Sequence, residues 1–248
     1  MRPWYLRWWG IVIIVYIAVT GVLGIGFIVA SRRAPTVPAS ARDDVLRVGG
    51  FTAAETVNSQ QSTVNRQQLL VTDSDPTLGA TAAIAGVTIV EFSDFQCPFC
   101  RAAFPIIRQV ASQYGGRGLR YVYRDWFNDE LHPDARRAAE AAQCAHAQGK
   151  FWAFHDKVFQ NQEQMDAKSL AAYARQVGLD GQRFDVCVAS KEFASAVQQD
   201  IDAGTSFGVR GTPTWFFILG GDVANARRVE GVIPRDVLVK LLEDRLPK

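Results

Sequence analysis

The segment Val87 to Arg101, "VTIVEFSDFQCPFCR", decides the fold. Its first six residues, "VTIVEF", form a nearly continuous β-branched run of the kind that a strand buried on both faces requires. "SDFQCPFC" follows, and then "RAAFPIIRQVASQYGG", where Phe104, Ile107 and Val110, joined by Ala103 and Tyr114, recur at helical spacing until Gly115 and Gly116 stop the pattern. Cys97 is therefore expected where a strand gives way to a helix N-terminus. "LRYVYRD", from Leu119, reads as the next strand, so strand, helix and strand make a right-handed βαβ unit.

Downstream the pattern turns helical. From His132 to about Phe207, Ala135, Ala138, Ala139 and Ala142 share one face, "FWAFHDKVF" follows, and "AKSLAAYARQVG" is closed by Gly178, with further short helices after it. Five helices in succession do not belong to a minimal βαβ fold, and residues of about 131–207 are expected to be an all-helical insertion. Strand character returns in "PTWFFIL", Pro213 to Leu219, turns at Gly220 and Gly221, and is expected to pair with "RRVEGV" from Arg227 as a hairpin. Pro234 then starts an amphipathic helix through Val237, Leu238, Leu241 and Leu242.

Upstream lies a different kind of sequence. The 22 residues from Trp9 to Ala30 carry no charge, and at 1.5 Å per residue they span roughly 33 Å, about the thickness of bilayer hydrocarbon. With Trp4, Tyr5, Trp8 and Trp9 suited to a headgroup interface, residues 1–33 read as an uncleaved signal-anchor with its transmembrane helix at about 9–30. Arg2, Arg7 and the α-amine on one side against Arg32 and Arg33 on the other give a small bias towards an N-terminus inside. Residues 34–67, rich in Ser, Thr, Gln, Pro and Gly, read as a linker whose flexible reach is roughly 30 Å. Residues 68–248 then form one domain of ordinary core size. Over all 248 residues there are 27 Lys plus Arg against 25 Asp plus Glu, and the four basic residues before Ala34 leave the rest slightly acidic, so no nucleic-acid surface is implied.

The chemistry lies in Cys97-Pro98-Phe99-Cys100. A CxxC in the first turn of a helix places its first sulfur beside unsatisfied backbone N–H groups and the positive end of the helix dipole, which favours thiolate over thiol. Cys97 is thereby expected to be nucleophile and leaving group, and Cys100, one turn further on, the resolving thiol. Half of a zinc site and an inert disulfide are the competing readings. A zinc ribbon needs a second closely spaced ligand pair, yet Cys144 and Cys187 stand 43 positions apart, so neither metal nor cofactor is expected. Cys144 and Cys187 are most simply paired with each other as a structural disulfide, although four cysteines allow three pairings and a second redox pair stays open. His132, His146 and His155 read as surface or helix-packing residues.

These residues resemble the thioredoxin superfamily and, within it, the DsbA-like thiol:disulfide oxidoreductases of bacterial envelopes. "TIVEFSDFQCPFCR" looks like that family's active-site block, and "HPDARRAAEAAQCAHAQGKFWAFHDKVF" like the start of its helical insert. "GVRGTPTWF" is similar to the loop that carries the family's cis-proline, which would make Pro213 that residue and Thr212 its predecessor, offering backbone groups to an extended substrate. Glu91 matches the buried acid that relays the proton of Cys100, with burial raising its pKa, and Pro105 matches a proline in the active-site helix. The pair Pro98-Phe99 departs from the Pro-His of well-known members, so Phe99 supplies only apolar surface where a His would stabilise a thiolate. The implied fold is α/β and thioredoxin-like, with an inserted helical domain behind one N-terminal transmembrane helix.

The uncharged run at 9–30, taken with the resemblance, implies a single-pass protein of the bacterial cytoplasmic membrane with its C-terminal domain on the extracytoplasmic side. There it would donate the Cys97-Cys100 disulfide to reduced exported polypeptides and be reoxidised by a membrane-embedded DsbB-like or VKOR-like partner. Two other readings use the same residues: a reductase or isomerase with electrons flowing the other way, and a non-catalytic peptide-binding or chaperone module built on the groove near Thr212.

Overall fold

A computed structural model describes residues 70–248 of the chain. The expected transmembrane helix at 9–30 and the linker at 34–67 lie outside the described residues, and among those described no helix is long and apolar enough to cross a membrane. Strands β1 (Thr77–Gly79), β2 (Val87–Ser93), β3 (Leu119–Asp125), β4 (Thr214–Leu219) and β5 (Asp222–Glu230) form a single sheet in the order β1-β3-β2-β4-β5. The central pair β2 and β3 is parallel, from Val87 opposite Leu119 to Ser93 opposite Asp125, while β1, β4 and β5 join antiparallel. A parallel pair needs a crossover. Helix α1 (Pro98–Tyr114) supplies it.

All seven residues of β2 are buried, and they alternate between two cores. Val87 and Ile89 meet α1 through Ala103, Ile107 and Val110, and meet α7 (Arg235–Glu243) through Leu238 and Leu242. Val90 and Phe92 face the other way, towards Leu70, Val122, Phe216 and Ile218. The crossover returns tightly: at Gly79, where φ is +90°, an added Cβ would lie 2.3 Å from the Leu119 carbonyl oxygen, and at Gly115 one would lie 2.8 Å from the Cα of Gly79. Side chains at these two positions would force strand and helix end apart.

Five helices lie between β3 and β4: α2 (Ala135–His146), α3 (Phe151–Gln160), α4 (Ala167–Gln176), α5 (Gly181–Ser190) and α6 (Ala194–Ser206). Alanines on α2 let the neighbouring helices approach closely, and Phe151, Phe154, Phe159, Leu170 and Phe184 fill the space between them. Helix α6 is tied to the sheet by a buried ion pair, in which the Arg124 Nε donates to Asp200 Oδ1 at 2.9 Å, with Asp75 at 3.7 Å completing the triad.

Two boundaries differ from those the sequence suggested. β4 begins at Thr214 rather than Pro213, because a proline has no N–H to give to a ladder. β5 begins at Asp222, five residues before Arg227, and its registry is interrupted between Phe217 and Leu219 of β4. As an edge strand largely exposed on both sides it shows no hydrophobic alternation for a sequence reading to find.

Candidate active site

The C-terminal end of β2 delivers the chain to the site. After Ser93, the segment Asp94–Gln96 makes a turn closed by the Cys97 N–H, which donates to the Asp94 carbonyl at 3.1 Å. Cys97 caps α1 in an extended conformation (φ −72°, ψ 124°) and Pro98 occupies the first helical position, where a missing N–H costs nothing and the fixed φ suits the helix. The free N–H groups of the first turn are thereby left beside the sulfur of Cys97. Pro105 lies inside α1, one turn beyond.

Cys97 and Cys100 are both free thiols, and both are buried at the level of the whole residue, at 4% and 0% exposure. Phe99 between them is 63% exposed, so the apolar surface offered beside the reactive sulfur is a phenyl ring. The Thr212-Pro213 peptide bond is cis, and Thr212 stands against Cys97, whose Sγ–H donates to the Thr212 carbonyl at 3.3 Å. Residues 115 positions apart in sequence thus form the two sides of one cleft. Gly231, after β5, donates its N–H to the Pro213 carbonyl at 2.8 Å and holds that loop in place.

The two thiols differ sharply in acidity. A hydrogen bond from the Cys100 thiol, with others from the Thr212 side chain and from the backbone N–H groups of Cys100 and Phe99, outweighs partial burial and brings Cys97 down to about 5. Cys100 moves the other way: burial, the thiol it lends to Cys97, and the nearby Glu91 carboxyl all push it well above the ordinary thiol range. The pair therefore shares one easily lost proton, and the charge settles on Cys97.

Glu91 is buried, at 2% exposure, beneath this pair. Loss of water raises its pKa to about 7, against the opposing hydrogen bond donated by the Tyr121 hydroxyl. An acid poised near neutrality and felt electrostatically by Cys100 can hold or accept the proton that a buried thiolate needs. Cys144 and Cys187 are joined in a disulfide, Cα to Cα 5.9 Å, that links α2 to α5. Among the described residues, no group of three or more His, Cys, Asp or Glu side chains is placed to hold a metal ion.

Of three polar residues around the site, Gln162 carried no sign in the sequence, whereas His132 and His155 read there as surface or helix-packing residues, which for His155 agrees with its buried place in a helix. The Gln162 amide, after α3, donates at 2.8 Å to the carbonyls of both Phe95 and Cys97, and so fixes the turn from the side of the helical insert. His132 places Nδ1 against the buried Asp94 carboxylate, three residues before Cys97. His155 is buried among the rings of Phe95, Tyr123, Phe151, Trp152 and Phe159, and burial lowers its pKa despite a bond to Asp156. The first two contacts bridge 65 and 38 positions, and a polar residue in a loop carries no periodic signal that would announce them. For His155, the four aromatic residues of "FWAFHDKVF" were the available hint.

Known proteins agree with this architecture. The crystal structure of a thioredoxin-like oxidoreductase from Silicibacter pomeroyi is 28% identical, covers 73% of this chain and 96% of its own, and superposes with a TM-score of 0.60. The thiol-disulfide exchange protein alpha-DsbA2 from Wolbachia pipientis, 22% identical with a TM-score of 0.60 over 73% of this chain and 92% of its own, has the same fold. Among curated sequences, a Na(+)/H(+) antiporter NhaA 3 from Salinispora tropica is 39% identical over 147 residues, which are 59% of this chain. That match spans only about a fifth of the antiporter, whose length is 21% covered. The thioredoxin profile matches residues 71–233, which include the CxxC helix, the helical insert and the cis-proline loop. On that match and this topology, the chain belongs to the thioredoxin family.

Proposed function

We propose that the protein is a thiol:disulfide oxidoreductase of the oxidase type, which donates the Cys97-Cys100 disulfide to reduced exported polypeptides. The observation that carries this reading is the juxtaposition of Cys97, at the start of α1, with the cis Thr212-Pro213 loop on one side and the buried Cys100 and Glu91 on the other. In the oxidised state a substrate thiolate attacks Cys97 Sγ, the Cys97–Cys100 bond breaks, and Cys100 leaves with the electron pair and takes a proton from Glu91. A second substrate thiolate attacks the substrate sulfur of the mixed disulfide and releases Cys97 as a thiolate. The substrate is oxidised by two electrons, and the enzyme is left as the dithiol.

Stabilising the Cys97 thiolate stabilises the reduced form and makes the disulfide the more oxidising. That favours donation over the reductase or isomerase reading of the same residues. Thr212 offers its backbone carbonyl beside the sulfur, where an extended substrate chain can pair with it. Turnover requires a two-electron acceptor, for which a DsbB-like or VKOR-like membrane protein fits, and anchoring through residues 9–30 in the cytoplasmic membrane, with the domain on its extracytoplasmic side, would hold the two at high effective concentration. The Na(+)/H(+) antiporter relatives are longer chains, of which this one matches about a fifth, and antiport is not proposed for it.

The deciding measurement is equilibration of the purified protein with glutathione buffers, the redox state of Cys97 and Cys100 being read by alkylation. A potential clearly above that of the glutathione couple, with oxidation of a reduced unfolded substrate in stoichiometric amount, is expected. A strongly reducing potential with rapid insulin reduction would overturn the oxidase assignment in favour of the reductase.

A further inference from the structure

The turn before the reactive cysteine contains a carboxyl group that ought to work against a thiolate. Asp94 is buried, which raises its pKa, its carbonyl accepts the Cys97 N–H at 3.1 Å, and Cys97 is among the charges that it feels. A bare carboxylate so placed would oppose ionisation of the sulfur. The carboxyl group is not bare. Oδ1 accepts the Gln96 N–H at 2.7 Å, and Oδ2 meets Nδ1 of His132, which arrives from the loop between β3 and α2.

That loop is built to bring the imidazole there. Asn128 accepts the N–H groups of Glu130 and Leu131 on its side-chain oxygen and that of His132 on its carbonyl, at 2.8, 3.2 and 2.9 Å, which curls the chain back towards the active-site turn. A second contact fastens the same two segments, the Asp134 N–H donating to the Gln96 Oε1 at 2.9 Å. Two further acids stand on the neighbouring strands, Asp125 of β3 and Glu91 of β2, and burial raises the pKa of both, which favours their neutral forms and offers Asp94 no compensating positive charge. The side chain of Asp134 is engaged by Arg137 instead.

We propose that His132 is a positioning residue for thiol-disulfide exchange, acting through Asp94: its ring pairs with the buried carboxyl group, so that the two together present no net charge to Cys97 and do not oppose a thiolate there. The inference rests on Cys97 being the attacking and leaving thiol. It assigns to a residue 35 positions downstream part of the role that the dipeptide Pro98-Phe99, having no histidine, does not fill. Whether the proton sits on the ring or on the carboxyl group, the neutrality of the pair is the same.

The test is the pH profile of iodoacetamide alkylation of the full-length protein, with Cys97 and Cys100 reduced and Cys144–Cys187 intact, for the natural sequence, His132→Gln, Asp94→Asn and the double variant. His132→Gln keeps a hydrogen-bond donor but leaves a carboxylate without a cation, and its Cys97 midpoint is expected to rise by about one pH unit. Asp94→Asn and the double variant remove the charge and are expected to keep the low midpoint. Equal midpoints in His132→Gln and the natural protein, or a rise of the same size in Asp94→Asn, would show that the contact merely holds the loop and would overturn the proposal. Should Asp94→Asn not fold, His132→Lys replaces it: a restored cation is expected to bring the midpoint back down, and a midpoint as high as that of His132→Gln would refute the charge argument. An ordinary thiol midpoint in the natural protein would instead remove the functional reading on which the inference stands.

Discussion

Cys97 and Cys100 open α1, whereas Cys144 and Cys187 lie in the last turns of α2 and α5. All four belong to one apolar cluster, together with Phe95, Tyr123, Phe154, Leu170 and Phe184. Burial in hydrocarbon is therefore common to both and cannot be what separates them. Position along a helix can: N–H groups surround the sulfur of Cys97, while the end of a helix presents carbonyl oxygens and the negative pole of the dipole, which disfavour a thiolate. A disulfide whose sulfurs are poor leaving groups resists exchange. On the proposed function, the charge on the leaving sulfur, more than its accessibility, would divide the exchanging pair from a structural one.

The largest effect expected from this contrast is on activity. Cys97→Ser should reduce oxidation of a thiol substrate to the uncatalysed rate, while the double variant Cys144→Ala, Cys187→Ala should leave the potential of the Cys97–Cys100 couple unchanged in a glutathione titration. Retained exchange in Cys97→Ser, or a displaced potential in the double variant, would break the division. On stability the order reverses. The Cys144–Cys187 bond closes a 43-residue loop, for which the chain-entropy model gives about 4 kcal/mol, so the double alanine variant should lose up to that amount in urea unfolding. Cys97→Ser should lose far less.

A third expectation concerns Glu91, which has no counterpart beside Cys144 and Cys187. Its pKa is about 7 in the folded protein against an ordinary value of 4.5, so the folded state binds the proton more tightly than the unfolded one. Stability then falls as pH rises from about 4.5 through 7, because unfolding releases a proton in that window, and it levels off above it. A shift of this size corresponds to roughly 3 kcal/mol. Glu91→Gln, which can still accept the Tyr121 hydroxyl, should flatten that dependence and be the more stable protein at pH 8 in urea titrations of the reduced form. It should also slow substrate oxidation, since Cys100 loses its proton donor.

How much of this the sequence revealed depended on whether a feature was local. β2 was legible because "VTIVEF" is apolar on both faces, and α1 because five residues repeat at its period and two glycines end it. The five-helix insert showed in its alanine and aromatic spacing. The partnership of Cys97 with Thr212 came through family resemblance alone, since nothing in "GTP" itself states that it folds against a residue 115 positions earlier. β1 escaped because three residues are too few to show a period. Arg124 read as one more residue of an apolar strand, and its burial against Asp200 of α6 could not be seen until the two were side by side. Asp94 and His132 belong to the same class: two ordinary loop residues whose meaning lies in their meeting.

The smallest and most discriminating prediction concerns the exposed Phe99. It sits at the second helical position beside Cys97, where its N–H helps to hold the thiolate but its ring contributes no charge. In Phe99→His, an imidazolium would gain from the thiolate and lose against the positive end of the α1 dipole, two effects of opposite sign. At direct contact the charge on sulfur is the nearer and larger, so the variant should be the more oxidising, by on the order of 30 mV, about tenfold in the exchange constant. The shift should shrink as pH rises past the ordinary imidazole value of about 6.5, because a neutral ring keeps only its hydrogen bond. A potential that does not move at pH 5.5, or moves downward, would mean that the N–H groups of α1 already stabilise the thiolate as far as this site allows.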